Sequence, residues 1–417
     1  MPSIHQAFSF NAIHINKYAS LKRAGKKRNR SVFYRIAAWL HLWLGLVSGI
    51  VVIIVSITGA VLTFEEELRW LFQPYQKVQD NGKPFLPPSA LAAAAKKEYK
   101  IPGVSAVIYR GRNRSVIVPW YGDRKNYLVN YLDPYTGQAL HSQPLDSDFY
   151  RIMVIGHYQL WLPRNIGQPI VAYATLIFVI TLITGLVLWW PKRWNASTRK
   201  QSFFIRTKAT LKRLNYDLHN VLGFYAMLIA LILGLTGMVF GMQWFSKAVY
   251  WTASGGKTPT FERVSSDTTL TATRTLPDED VLFQLLQRQH VDMSHQEISF
   301  GYPFGKAGTW SLSVNPSMGK RYKIQNSYFE QHSLKPLKAD RSFSAVNGGE
   351  KMSRLNYDLH VGAIGGITTK IIAFLVCLIS ASLPVTGFII WLGKKRKKSG
   401  KKLAPRRTIL KPVTLAK

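Results

Sequence analysis

The chain is short of cysteine and of negative charge. Its 417 residues include one cysteine, Cys377. That excludes an intrachain disulfide, a cysteine-ligated metal and an iron–sulfur cluster, and Cys377 reads as a small packing residue inside an apolar run. Acidic residues number 21 against 55 lysines and arginines, for a formal charge of +34. The shortage is local. Residues 1–35, 191–213 and 394–417 carry 8, 8 and 11 basic residues and no acid, while nearly every acidic residue falls in 65–165 and 246–370. The polar stretches hold no nucleophile motif, no phosphate-binding loop and no dinucleotide fingerprint, so no flavin or nicotinamide domain is expected. No short cleavable leader is expected: the first apolar run is too long for one, which points to an uncleaved signal anchor.

Four long charge-free runs are present: Ile36–Phe64, Ile166–Trp190, Leu218–Phe245 and Ile371–Gly393. Crossing a bilayer core takes about 20 apolar residues. Each run exceeds that and qualifies as a transmembrane helix. Basic residues collect on the cytoplasmic side of membranes, which places both termini and the 191–213 loop there. The positive charge is then a topology signal with attraction to anionic lipid, and no nucleic-acid partner is needed to explain it.

The order helix, soluble segment, helix, basic loop occurs twice. His41 opens His-Leu-Trp-Leu-Gly-Leu and His219 opens His-Asn-Val-Leu-Gly-Phe. Each is followed at the same distance by Thr-Gly, at Thr58-Gly59 and Thr236-Gly237. The second helix of each half ends alike, with Thr184-Gly185 before Trp189-Trp190 and Thr386-Gly387 before Trp391. His157 and His360 stand upstream of these. The fold class expected is membrane α-helical: four transmembrane helices as two parallel repeats about an axis along the membrane normal. The expected boundaries are a basic tail 1–35, helix 36–64, a periplasmic module 65–149, a lead-in and helix 150–190, a basic loop 191–213, helix 214–245, a second periplasmic module 246–353, a lead-in and helix 354–393, and a basic tail 394–417. The Thr-Gly pairs are read as small residues that let helices approach closely. Each module is read as a small α+β unit. The first has a helix at Ser89–Tyr99, strands at Ser105–Tyr109, Arg114–Trp120 and Lys125–Leu132, and the turn Asp133-Pro134-Tyr135-Thr136-Gly137. The second has a helix at Asp278–Gln289 and strands at Glu297–Tyr302, Thr309–Val314 and Arg321–Tyr328.

Of ten histidines, six (His5, His14, His141, His290, His295 and His332) are scattered without ligand spacing. The other four fall one to a helix. His41 and His219 sit toward the cytoplasmic end. His157 and His360 sit toward the other end, and are expected to be shallower because Pro163 and Gly362, Gly365 and Gly366 interrupt their segments. Ionisable residues at membrane depth are costly and usually functional. Facing imidazoles in a bundle suit axial ligation of haem iron, whereas two histidines leave a tetrahedral zinc short of ligands. The expected ligands are His41 with His219 and His157 with His360, with Met153 and Met352 as weaker axial candidates. Arg213 and Arg354, six residues before His219 and His360 in Arg-Leu-Asn-Tyr-Asp-Leu-His, are candidate propionate partners. Asp217 and Asp358 are expected to cap their helices or orient an imidazole. Trp43, Trp161 and Trp189 are read as belt or pocket aromatics.

These motifs resemble the PepSY-associated transmembrane family of bacterial inner-membrane proteins over residues 33–395. The resemblance rests on the His-x-x-Leu-Gly start, the two Asp-Leu-His starts, Thr-Gly before Trp and a basic stop, and the 133–137 turn. The second module departs from it, with Asn326-Ser327-Tyr328 where the turn would stand. Resemblance to dihaem ferric-siderophore reductases of the ferrioxamine type implies two b-type haems per chain. It further implies a ferric-siderophore substrate in the periplasm and a separate electron donor: flavin, quinone or a reductase protein. The alternative is a non-redox siderophore permease or a membrane scaffold with partner-binding modules.

Overall fold

The computed structural model describes residues 31–122, 127–260, 264–271 and 274–402. His5, His14, Lys125 and most of both basic tails lie outside the described residues. In chain order the elements are α1 (Val32–Thr63), α2 (Glu65–Phe72), α3 (Pro88–Tyr99), strands β1 (Ala106–Arg110), β2 (Val116–Trp120), β3 (Leu128–Leu132) and β4 (Ala139–Pro144), and α4 (Phe149–Gln159), α5 (Arg164–Trp189) and α6 (Ala196–Phe203). There follow α7 (Leu211–Gly241), α8 (Gln243–Ala253), α9 (Asp278–Arg288), strands β5 (Glu297–Gly301), β6 (Thr309–Asn315), β7 (Gln325–Glu330) and β8 (Pro336–Ala339), then α10 (Gly348–His360) and α11 (Ile367–Lys402).

Helices α1, α5, α7 and α11 are each long and apolar enough to cross a membrane. They pack in a ring, α1 on α5, α5 on α7, α7 on α11 and α11 back on α1. Their outward residues are large and apolar, with Val47, Ile50, Leu228 and Leu375 all more than half exposed, as a lipid-facing surface requires. The chain is therefore a multi-pass membrane protein. Ser31 caps α1 by accepting the Tyr34 N–H, Asp148 caps α4 by accepting that of Arg151, and Asn347 caps α10 by accepting that of Glu350. A π turn over Leu218–Leu222 interrupts α7 at His219; such turns commonly mark functional positions.

The two soluble segments do not form two separate modules. They build one antiparallel sheet of eight strands in the order β4-β3-β2-β1-β5-β6-β7-β8. The halves join at β1 and β5, where Ala106 pairs with Gly301 and Arg110 with Glu297. Helices α3 and α9 cover one face, packing Leu91, Ala95, Leu282 and Leu286 on Val107, Tyr109, Ile298 and Phe300. The Ser89 N–H bonds Asp280 and ties the two helices together. The helices and the three strands read in each segment are there; β4, half buried, and β8, mostly exposed, gave no apolar alternation to read.

The second segment keeps the turn that seemed lost, four residues later than expected. Asp133 accepts the N–H groups of Tyr135 and Thr136, and Glu330 accepts those of His332 and Ser333. Gly137 closes the first turn with φ 72° and Leu334 the second with φ 52°. Asn326-Ser327-Tyr328 lies within β7.

Asp217 and Asp358 correct a second expectation, since neither caps its own helix or touches an imidazole. Asp358, fully buried, accepts the N–H groups of Arg321 and Tyr322 at 2.7–3.0 Å and so pins the sheet to α10. Asp217, also fully buried, accepts the Arg206 N–H at 3.3 Å. Asp358→Ala would leave the N–H groups of Arg321 and Tyr322 without their acceptor, at about 1–3 kcal/mol each. The expected result is a loss of roughly 2–5 kcal/mol in thermal or denaturant unfolding, with a smaller loss for Asp217→Ala; equal losses would contradict the assignment.

Candidate functional site

Each of the four membrane-associated histidines is held by a Thr-Gly pair on another helix. His41 Nδ1 lies 3.0 Å from the Thr181 carbonyl and 3.3 Å from Thr184 Oγ1. His157 Nδ1 lies 2.9 Å from the Val55 carbonyl and 3.2 Å from Thr58 Oγ1. His360 Nδ1 lies 3.1 Å from the Leu233 carbonyl and 2.9 Å from Thr236 Oγ1, and His219 Nδ1 lies 2.9 Å from Thr386 Oγ1. A carbonyl oxygen only accepts. The hydroxyls of Thr58, Thr184, Thr236 and Thr386 already donate into their own helices, to the carbonyls of Ile54, Ile180, Ile232 and Ser382. Every Nδ1 therefore carries the proton and donates it. The tautomer is fixed, and the lone pair sits on Nε2, ready to ligate a metal.

The glycines complete the grip. A Cβ built on Gly59, Gly185, Gly387 or Gly237 would come within 2.9, 3.0, 3.2 or 3.3 Å of Cε1 of His157, His41, His219 or His360. The pairs thus seat imidazoles, a different task from the helix packing expected of them. Close helix approach falls to other glycines, such as Gly49 against Pro384 and Gly241 against Ala172.

The held rings face each other in two pairs. His41 and His219 have centroids 6.2 Å apart and planes at 82°; His157 and His360 have centroids 6.0 Å apart and planes at 61°. A metal–nitrogen bond of about 2.0 Å on each side, plus roughly 1.1 Å from nitrogen to ring centre, puts two axial imidazoles about 6.2 Å apart. The centroid spacing of each pair matches what two imidazoles sharing one metal ion would show. A cavity of about 490 Å³ surrounds the first pair, lined among others by Tyr34, Trp189, Phe224, Trp391 and Lys394. Trp189 stacks on Phe224 at 3.7 Å, which makes that wall flat. Trp43 and Trp161 are about half exposed. Met352 is also exposed.

The second pair is not shallow. His157 and His360 reach Thr58 and Thr236, each five residues inside its helix, just as His41 reaches Thr184 five residues inside α5. The interrupted segments do turn, at Leu160 and Trp161 (φ 57° and 56°) and at Gly362 and Gly366 (φ 73° and 70°), but only after each histidine has been delivered.

A family model described as the PepSY-associated TM region matches residues 38–394. The chain belongs to the PepSY-associated transmembrane family. No curated protein matches it. The matched span opens at Ala38 and closes at Lys394, both of which line the cavity, and it contains all four histidines with their threonines.

The arginines of this family member lie otherwise than expected. Arg213 sits 2.9 Å from Asp217 without hydrogen-bond alignment, leaving its Nε and Nη2 buried without a hydrogen bond, and it does not line the cavity. Arg354 is half-buried, and its Nη1 donates to the Arg341 carbonyl at the surface. Two features were overlooked in the sequence. Asn215 and Asn356, in the repeated Arg-Leu-Asn-Tyr-Asp-Leu-His, donate to the carbonyls of Thr386 and Thr236, the same threonines that hold the histidines four residues on. An arginine also stands six residues before all four histidines, not two: Arg35 and Arg151 precede His41 and His157 in Phe-Tyr-Arg-Ile-x4-His, which occurs at 33–41 and again at 149–157.

The sheet face opposite α3 and α9 carries charge. Arg110 on β1 bonds Gln76 and leaves Nε unpaired, and burial brings it down to about 10. Glu297, paired with it on β5, is raised by burial and by Glu66 of α2. Arg69 of α2 clamps Asp148 at 2.6 and 2.8 Å; burial alone would raise that carboxyl, but Arg69 holds it below the usual range. Arg321 lies over the Tyr357 ring of α10 at 4.1 Å. This polar face therefore looks onto the end of the bundle that holds His157 and His360.

Proposed function

We propose that the chain is a dihaem b-type protein of the bacterial inner membrane that carries electrons from the cytoplasmic side to the periplasm and reduces a ferric siderophore there. The observation that carries this reading is the pair of facing imidazole couples, all four with Nδ1–H donated and Nε2 left free. Haem bound at each couple would supply one-electron transfer at a fixed depth. His41 and His219 would ligate the inner iron, with Lys394 at the cavity mouth as a cationic partner for propionate. His157 and His360 would ligate the outer one, beneath the polar face of the sheet.

The basic 191–213 loop and tails support a cytoplasmic location for that end, which makes the sheet periplasmic. The recurrence of the same contacts in both halves supports two parallel repeats. A ferric complex docked beside the sheet would take one electron. The resulting Fe(II), softer and less charged, is held more weakly by hard oxygen ligands. The electrons would come from a separate donor (flavin, quinone or a reductase protein), since the described residues hold no flavin or nicotinamide fold.

Purified protein tests the reading directly. The expected result is a Soret band, dithionite-sensitive α bands and two haems per chain, with trapped Fe(II) appearing when reduced protein meets a ferric siderophore. Colourless protein from haem-sufficient cells would refute it.

A further inference from the structure

The basic loop between the second and third spans carries more structure than a topology signal needs. Keeping a loop on one side of a membrane asks for charge, not for a fold. This loop is folded. Asn195 and Thr198 cap α6 reciprocally. Trp189, the last residue of α5, donates its indole N–H to the Ser202 carbonyl at 3.2 Å. Tyr225 of α7 donates its hydroxyl to the Phe203 carbonyl at 3.3 Å, and the buried Asp217 accepts the Arg206 N–H. These contacts tie α6 to both α5 and α7.

They also assemble a cluster of rings that runs from the inner cavity to the surface. Trp189 and Phe224 stack at 3.7 Å, and both line the cavity that holds His41 and His219. Trp189 further meets Trp194 at 5.7 Å and Trp190 at 6.2 Å between ring centroids, and those two meet each other at 5.6 Å. Trp189 is buried, whereas Trp190 is 60% exposed and Trp194 38%, and neither of the latter lines the cavity. An unbroken chain of ring contacts therefore joins the wall of the inner site to two surface tryptophans. Exposed cations flank them in sequence, at Lys192, Arg193, Arg199 and Lys200, and residues 191–213 contain no acid.

We propose that this surface is where electrons enter, and that it docks an acidic one-electron carrier protein. The proposal rests on the haem reading above and names its donor. A quinol would arrive from the lipid and has no use for the cations. A free flavin would need a pocket, and these tryptophans stand outside the cavity. A carrier whose redox group is ringed by carboxylates matches exposed aromatic rings bordered by lysine and arginine. One electron leaves the reduced carrier, which is oxidised, and reaches the iron held by His41 and His219, which is reduced; no atom is transferred and no bond is made or broken.

The test measures binding and stopped-flow reduction with reduced flavodoxin, an acidic flavin-bearing carrier, on the full-length chain in discs of zwitterionic lipid. Binding should weaken and reduction should slow as salt rises and the Debye length falls below about 10 Å. The triple variant Arg193→Gln, Arg199→Gln, Lys200→Gln should associate roughly tenfold more slowly at low salt and lose most of the salt dependence. An equal loss of charge in the C-terminal tail, by Arg406→Gln, Arg407→Gln and Lys411→Gln outside the described residues, should leave both readouts unchanged. Trp194→Leu should bind the carrier as wild type does but accept its electron more slowly, and Trp194→Phe should restore most of the rate. Methyl viologen radical, a small cation, should reduce every variant alike. Carrier binding that ignores salt, that falls equally in the tail variant, or that is lacking in wild type overturns the docking surface, and an unchanged rate in Trp194→Leu overturns the ring path. A wild-type chain that takes up no haem overturns the haem reading instead, and the binding series then decides the docking surface separately.

Discussion

His219→Ala is expected to lower haem content from two per chain to one, and His41→Ala to remove that same haem while the other keeps its spectrum and potential. The two residues are far apart in sequence and on different helices, but their rings lie 6.2 Å apart in one cavity. Among the described residues no other histidine lines that cavity. Along α1 the rise from His41 to Thr58, which marks the depth of the outer pair, is about 26 Å. His157→Ala and His360→Ala form the complementary couple. The four single variants should thus fall into two classes, and each cross-class double variant should be colourless. Pigment analysis with low-temperature α-band spectra reads this directly. Assignment of His41 and His219 to different haems would break the pairing even if two haems are present.

The spans and the four histidines were legible because membranes impose simple physics. A charge-free run long enough to cross a bilayer has few soluble explanations, and a histidine repeated at a fixed distance from Thr-Gly stands out against leucine and isoleucine. The helix starts fall a few residues earlier than expected because polar turns continue the helices past the apolar runs: α7 begins at Leu211 where 214 was expected, and α1 at Val32 where 36 was. The fusion of both soluble segments into one sheet was not legible. Edge matching of β1 to β5 depends on backbone pairing between Ala106–Arg110 and Glu297–Gly301, strands from opposite halves of the chain, and side-chain alternation does not encode it. The sense of Thr-Gly was missed for a related reason. A small pair in a transmembrane helix is ordinarily a packing device, and only the position of the opposing imidazole shows that here the threonine orients a ring and the glycine makes room for it. Asp358 was misread because its partners, the backbone N–H groups of Arg321 and Tyr322, carry no sequence signature.

Substitutions at the four glycines discriminate most sharply between these two senses. If Thr-Gly only packs helices, Gly→Ala should cost little wherever a methyl can be absorbed. If it seats an imidazole, the added methyl pushes Cε1 of a ring already tied at Nδ1 to its acceptors on the facing helix, and Nε2 swings off its axis. The required displacement grows as the gap shrinks, so Gly59→Ala at 2.9 Å and Gly185→Ala at 3.0 Å should disturb their haems more than Gly387→Ala at 3.2 Å or Gly237→Ala at 3.3 Å. Gly59→Val and Gly185→Val should abolish one haem each, the outer and the inner respectively. Threonine variants provide the contrast. Thr58→Val removes one acceptor but leaves the Val55 carbonyl at 2.9 Å, so the outer haem should remain bound while its potential shifts, because a neutral imidazole with fewer acceptors at Nδ1 is a poorer donor to iron. Equal, small effects at all four glycines, with both haems retained in Gly59→Val, would return these residues to helix packing.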